Sequence, residues 1–430
     1  LDEQAQKRTL NIPKTNQPMP WIKQAPAGMR FVYSDAQTPA QVHARAQELK
    51  ELCVGWVQFS DVPFPYTEPL RQTLRHRIDL WHAEGLAVGL DFDVASTPAE
   101  DPWALQAIRG DSAMQRRYWM ISDPKLAALF SPFSKEKENG DFLRLDEIGQ
   151  YVYRHPQTGG WLLDYKNPQV LALMLERFCE LVSFGADAIE LKQMDSMWKE
   201  CKAQRLYPQV PDLFALFAAA GKLVCPEVLV IGHSEAGAKD LQILSQRMPT
   251  GTAIVDQGLM INSWNSLATR DTKMLQGDLV FHALNASAIA VHPVGEDQGV
   301  VWNFNEETAR MRGWDPDCHR QFLMDFYTGQ ALGSFAEGEN DRESRRSYGT
   351  LASWAGCGRA LDGHEPYELE NSCRRILLLL GLSLALRGVP LLQDGDELGA
   401  LNDASFRLDP EKEGDRRWLQ RPVYVDDKAR

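Results

Sequence analysis

Glu235 stands just past the apolar run Val-Leu-Val-Ile-Gly (residues 228–232), within His-Ser-Glu-Ala. A carboxyl group at the end of a strand can give or take a proton when its surroundings fix its charge. Glu190 and Lys192 close a second apolar run, Ala-Asp-Ala-Ile-Glu-Leu-Lys, and Asp195 follows three residues later. Strand alternation puts Glu190 and Lys192 on one face, so their opposite charges predict an internal ion pair. Asp91 ends the run Leu-Ala-Val-Gly-Leu-Asp, and Asp297 follows Val-Gly-Glu296. Carboxylates in pairs suit acid/base and nucleophilic chemistry at acetal carbons. Trp81, Trp103, Trp161, Trp264, Trp302 and Trp354 offer flat faces for apolar rings, and Trp302 stands out as five residues beyond Asp297.

Chemistry at strand ends needs a sheet to hold the strands. From Met29 onward, short β-rich runs alternate with amphipathic stretches: MRFVYSD, AQVHARAQELKEL, VGWVQFSDVPF, LRQTLRHRIDLWHAEG, LAVGLDFDV. The alternation resumes after residue 160 and predicts βα units feeding a parallel sheet. Residues 1–27 are polar and proline-punctuated and read as an arm or linker. Residues 28–95 open the alternating region and 161–430 continue it. Between them, 96–160 is irregular and charged, with FSKEKENGD and YRHPQTGGW, and reads as an insertion after the third strand.

Composition narrows the function. Of the 430 residues 44% are hydrophobic and 24% charged, as in a globular protein, and no window approaches about eighteen uninterrupted apolar residues, so no membrane span is expected. A net charge of -13 without a basic cluster argues against a nucleic-acid partner. The seven cysteines are scattered, odd in number and without CxxC spacing, so neither a metal site nor a disulfide framework is expected. Reduced thiols predict a cytoplasmic protein, and no signal-peptide pattern is visible in a chain that opens on Leu1. No cofactor is expected.

Several segments, in order, resemble amylosucrase of glycoside hydrolase family 13. Gly185-Ala-Asp-Ala-Ile-Glu-Leu-Lys-Gln-Met-Asp-Ser-Met-Trp198-Lys199 resembles the fourth-strand motif, and His233-Ser-Glu235-Ala236 the fifth. Trp264 to Arg270, His319 to Leu323, Gly333 to Gly338, Gly395 to Asp403 and Arg417-Trp418 with Arg421-Pro422 continue the likeness. It covers about residues 45–425 and implies a (β/α)₈ TIM barrel with an α-glucoside at its mouth. It also implies an eighth helix and a C-terminal β-sandwich, neither of them evident up to Asp427.

By the same resemblance, Glu235 matches the acid/base and Asp297 the sugar-holding aspartate. Lys192 falls where the family has its nucleophilic aspartate, and Glu190 where it has the arginine that keeps that aspartate ionised. The clasping histidine of the third strand appears as Ser96, while Asp91 keeps its place. The aromatic platform and sugar-binding aspartate after the second strand have no counterpart near Val62-Pro63-Phe64, which would leave Arg417 to bind an anion or another carboxylate. The expectation is a non-catalytic barrel that binds an α-glucoside or glucan through Asp91, Glu190, Lys192, Trp302 and Arg417, or binds a protein partner or a second copy. The alternatives are an active hydrolase or transglucosidase with Asp195 as nucleophile and Glu235 as acid, or unrelated chemistry through Glu235, Asp297, Lys192 and Arg417.

Overall fold

The computed structural model describes residues 21–22, 27–34, 37–126, 142–155, 159–200, 207–284, 288–342 and 344–421, side chains excepted at 238–239, 242 and 280–284. The expectations placed on residues 1–20, on FSKEKENGD (133–141) and on the chain from Pro422 onward lie outside the described residues.

Eight strands form a closed barrel: β1 (Ala27–Val32), β2 (Val54–Ser60), β3 (Ala87–Asp93), β4 (Ala188–Lys192), β5 (Leu229–Gly232), β6 (Ala253–Val255), β7 (Ile289–Pro293) and β8 (Val389–Gln393). Their order is β1-β8-β7-β6-β5-β4-β3-β2, with parallel pairing in each register described. Helices follow the strands, so this is the (β/α)₈ barrel that the resemblance implied, built on the parallel βα units that the alternation predicted. The chain falls into two compact units. Among the described residues, the first holds Tyr33–Ala236 and Ile243–Ile254, and the second β1, Gly237–Gln242 and the chain from Val255 onward.

In the first unit, α1 (Pro39–Glu51) starts at a capping box: the Thr38 side chain accepts from the Gln41 N–H and the Gln41 side chain accepts from the Thr38 N–H. It buries Val42, Ala46 and Leu49, one stripe at helical spacing. A second helix, α2, spans Glu68–Ala83. The helices α3 (Pro168–Ser183) and α4 (Val210–Val224) carry most of the core. Phe178 of α3 meets Phe217 of α4 edge-on at 5.3 Å, and Phe92 of β3 packs 5.9 Å from Phe178. Such apolar burial is the main force holding helices to a sheet. The stretch between β3 and α3 holds two small antiparallel sheets, one of them pairing Met120–Ile121, Gln150–Tyr153 and Phe142–Leu145.

The second unit packs around tryptophan. Helix α5 (Gln257–Thr269) contributes Met260, Ile261 and Trp264, and α6 (Pro316–Tyr327) contributes Leu323, Phe326 and Tyr327. The long helix α7 (Pro366–Ala385) leads into β8 and exposes Leu377, Leu378 and Leu384. Among the described residues, no helix of this protein is long and apolar enough to cross a membrane.

Candidate functional site

Four consecutive strands of the first unit bring together a buried polar network. Lys192, the last residue of β4, lies 3.2 Å from Glu190 and 3.6 Å from Asp91 of β3. The expected Lys192–Glu190 ion pair is therefore present, with Glu190 wholly buried. The same Glu190 oxygen that meets Lys192 also lies 2.6 Å from Nδ1 of His233, the residue after β5. On the other side Gln58 of β2 donates its amide to Asp91 at 2.6 Å. Gly89 makes this bond feasible, because a Cβ at that position would stand 1.9 Å from the Gln58 side-chain oxygen. A buried charge is tolerated only when paired and hydrogen-bonded, and every member here is held by a neighbour.

The strand register explains the placement. Asp91 stands opposite Glu190 and Asp93 opposite Lys192, and β5 continues alongside with Ile231 opposite Glu190. Pairing runs unbroken to the end of β4, after which Gln193 turns through positive φ into one 3-10 turn, Met194–Ser196. Asp195 belongs to that turn and not to the strand, and Glu235 lies three residues past β5, partly buried.

Ser96 is also engaged, donating its hydroxyl to Asp93 at 2.6 Å. Asp93 accepts further bonds from the Ala95 and Ser96 amides. Burial pushes the Asp93 carboxyl above its usual range against the pull of these donors and of Lys192.

A second cluster forms within the other unit. Asp297, after β7, is gripped at both oxygens: Arg30 of β1 donates to Oδ1 at 2.9 Å, while Arg421 at 3.0 Å and the Gln298 amide at 2.7 Å donate to Oδ2. Its neighbour Glu296 accepts from Gln257 at 2.8 Å and lies 3.5 Å from Arg30.

Arg417, expected to meet an anion or another carboxylate, forks onto the Asp415 carboxylate, with bonds of 2.7 to 3.0 Å, and donates to Gln298 at 2.9 Å. One sequence expectation is corrected here. Trp302 is not a sugar platform. It is 1% exposed and packs in one cluster with Tyr327 at 5.0 Å and Trp354 at 5.7 Å, themselves 4.9 Å apart, with its indole N–H on Ser347. The apolar surface that made it attractive is spent on the core. Trp81, Trp161, Trp264 and Trp354 are buried likewise, and Trp103 lies beneath the guanidinium of Arg177 at 3.6 Å.

Arg30, His233, Gln58 and Arg421 are among the participants that sequence reasoning did not single out as site residues. Arg30 carried a usable signal, a lone cation inside the apolar run Met-Arg-Phe-Val, which has to find a buried partner.

Comparison with known proteins places the fold. No family model matches the chain. Over 79 residues, 18% of this chain, it is 35% identical to glucosylglycerate phosphorylase of Spirochaeta thermophila; the match covers 14% of that protein, so the chain spans far less than two thirds of this relative. Its structural neighbours are enzymes of glycoside hydrolase family 13. Sucrose 6F-phosphate phosphorylase from Thermoanaerobacter thermosaccharolyticum superposes with a TM-score of 0.67 at 13% identity, over 95% of this chain and 83% of that one. The α-glucosyl transfer enzyme XgtA gives 0.57 at 11% identity, over 95% and 79%. A family GH13_31 enzyme gives 0.54 at 15%, over 93% and 74%. Identities this low establish a shared barrel fold.

Proposed function

We propose that this protein is an amylosucrase-like barrel that binds an α-glucoside or glucan without transferring its glucosyl group. The observation that carries the reading is Lys192 at the end of β4, held between Glu190 and Asp91. Retaining chemistry needs an ionised carboxylate beneath the anomeric carbon, and an ammonium there opposes the positive charge that develops in the transition state. The unbroken pairing of β4 with β3 and β5 supports an alignment without an inserted residue, in which Lys192 takes the nucleophile position. Asp297, with both oxygens engaged by protein donors, has less capacity to hold sugar hydroxyls. The neighbours' own activities, α-glucosyl transfer among them, support an α-glucoside as the ligand class. Each described cysteine is a free thiol, which fits a reducing compartment such as the cytoplasm.

Purified protein mixed with sucrose or maltooligosaccharides should bind in a saturable way and release no product above background. Loss of a catalytic nucleophile lowers kcat by on the order of 10⁶, which sets the expected scale. Turnover of about 1 s⁻¹ or faster would overturn the reading. A fluorinated glucoside that labels Asp195 covalently would do the same and would establish Asp195 with Glu235 as the working pair.

A further inference from the structure

In the first unit, Trp119 of the insertion meets Lys166, just before α3, and Trp198, just after β4, in an aromatic and cationic surface that the barrel network does not use. Trp119 and Trp198 are both half-buried, and the exposed ammonium of Lys166 lies 5.0 Å from the first ring and 5.6 Å from the second. Lys199, next to Trp198, lies 6.0 Å from the ring of Tyr153. We propose that Trp119, Trp198 and Lys166, with Lys199 beside them, form a contact surface for a sugar that carries an anionic group, a phosphate ester or a carboxylate. This rests on the reading of the protein as a sugar-binding barrel and adds the charge of the ligand.

Both indoles are held before any ligand arrives. The Trp119 amide donates to the Leu162 carbonyl and its own carbonyl accepts from Tyr153, while its ring packs on the cluster of Ile121, Phe142 and Tyr153. Trp198 donates its indole N–H to Glu200 at 3.0 Å, and the hydroxyl of Tyr207 fixes the Glu200 backbone. Rigid, partly exposed rings meet the C–H faces of a hexose at little entropic cost. Lys166 occupies the place such a ring would take. A cation resting on aromatic faces in contact with water gains about 0.5–1 kcal/mol, so displacing it is cheap. Its long side chain can swing aside and meet an anion.

Lys166 and Lys199 supply the cations that an anionic group would meet on a chain that carries -13. Two carboxyl groups stand beside them, Glu200 accepting from the Trp198 indole and Asp164 from the Lys166 backbone amide, so a bound anion competes with these for the ammonium groups.

Calorimetric titration of the full chain with glucose, glucose 6-phosphate, glucuronate and inorganic phosphate tests this. At low ionic strength at least one of the two charged sugars should bind about fivefold tighter than glucose, and the advantage should shrink as salt is added. Which of them gains it identifies the anion. Lys166→Ala, a change at an exposed position, should bring the ratio to about one by weakening the charged sugar, with glucose bound as well or up to about fivefold better because no ammonium has to be displaced. Trp198→Ala should weaken the preferred charged sugar about three- to tenfold. Equal affinities in the parent protein, a ratio that survives Lys166→Ala, or inorganic phosphate bound as tightly as the ester would overturn the inference. Because these readouts are binding ratios, a protein that turns over sucrose can still pass them, and one that does not can still fail.

Discussion

Each unit of this protein buries a pair of carboxylates beside cations, and the two do it with different chemistry. In the first, Asp91 and Glu190 share one ammonium, Lys192, and Glu190 also meets the imidazole of His233. In the second, Glu296 and Asp297 meet the guanidinium of Arg30, and Asp297 a second guanidinium, that of Arg421. Arginine stays charged at every ordinary pH and offers a rigid fork, whereas lysine is a point charge on a flexible stem and histidine carries charge only when protonated. The arginine cluster is therefore a permanent, forked tie, whereas the other rests on a flexible lysine and an imidazole. Of the two, the lysine-centred one holds the residue that the proposed alignment sets at the nucleophile position.

The largest effect that could break this comparison is at Arg30. Arg30→Met should destabilise the protein by about 3–5 kcal/mol, because Glu296 and Asp297 stay buried after losing a shared cation. Urea unfolding reads this directly, and a change below about 1 kcal/mol would mean the cluster is hydrated instead of locked. Lys192→Met should cost somewhat less, since His233 still faces Glu190, and Lys192→Met with Glu190→Gln should recover part of the loss. Equal midpoints for the single and double variants would show that the pair is not coupled.

A pH-dependent effect is expected at Asp396, just past β8. Burial, helped by Glu397 and Asp394, pushes its pKa up to about 7, against the Gln393 amide that donates to it. The folded state then holds a proton that the unfolded chain releases from about pH 4 upward. Stability from this group is lost as pH rises through that window and is gone above about 7. Asp396→Asn should flatten that slope in a series of thermal melts. His319, held down at about 4 by burial and by Arg320, contributes the opposite slope below its ordinary value. The difference between parent and variant is thus the quantity to measure, and an unchanged difference across pH 5–8 would rule out the buried proton.

Much of the barrel was legible because its strands announce themselves twice, as apolar β-rich runs and as the spaces between amphipathic helices. The Lys192–Glu190 pair was legible for a similar reason: a two-residue spacing in a strand dictates a common face. Trp302 was misread because a tryptophan beside a strand-end aspartate looks the same in sequence whether its ring faces a ligand or a core. Only the stack with Tyr327 and Trp354, contributed from elements far along the chain, decides it. For Arg417 the sequence left an anion or a carboxylate open, and the partner is Asp415, two residues away, whose carboxylate closes on it in a local fork. The second cluster draws Arg30, Glu296 and Arg421 from distant parts of the sequence, and no local pattern foretells such a meeting.

The tryptophan stack also gives the protein an optical label. Trp302 and Trp354 lie nearly parallel, and Trp264 meets Trp354 at right angles, 5.4 Å between centroids. Indoles this close couple their electronic transitions and produce a paired circular-dichroism band that vanishes when the rings separate. All three belong to the second unit, whereas Trp119 and Trp198 belong to the first. Dichroism would follow melting of the second unit with no dye attached.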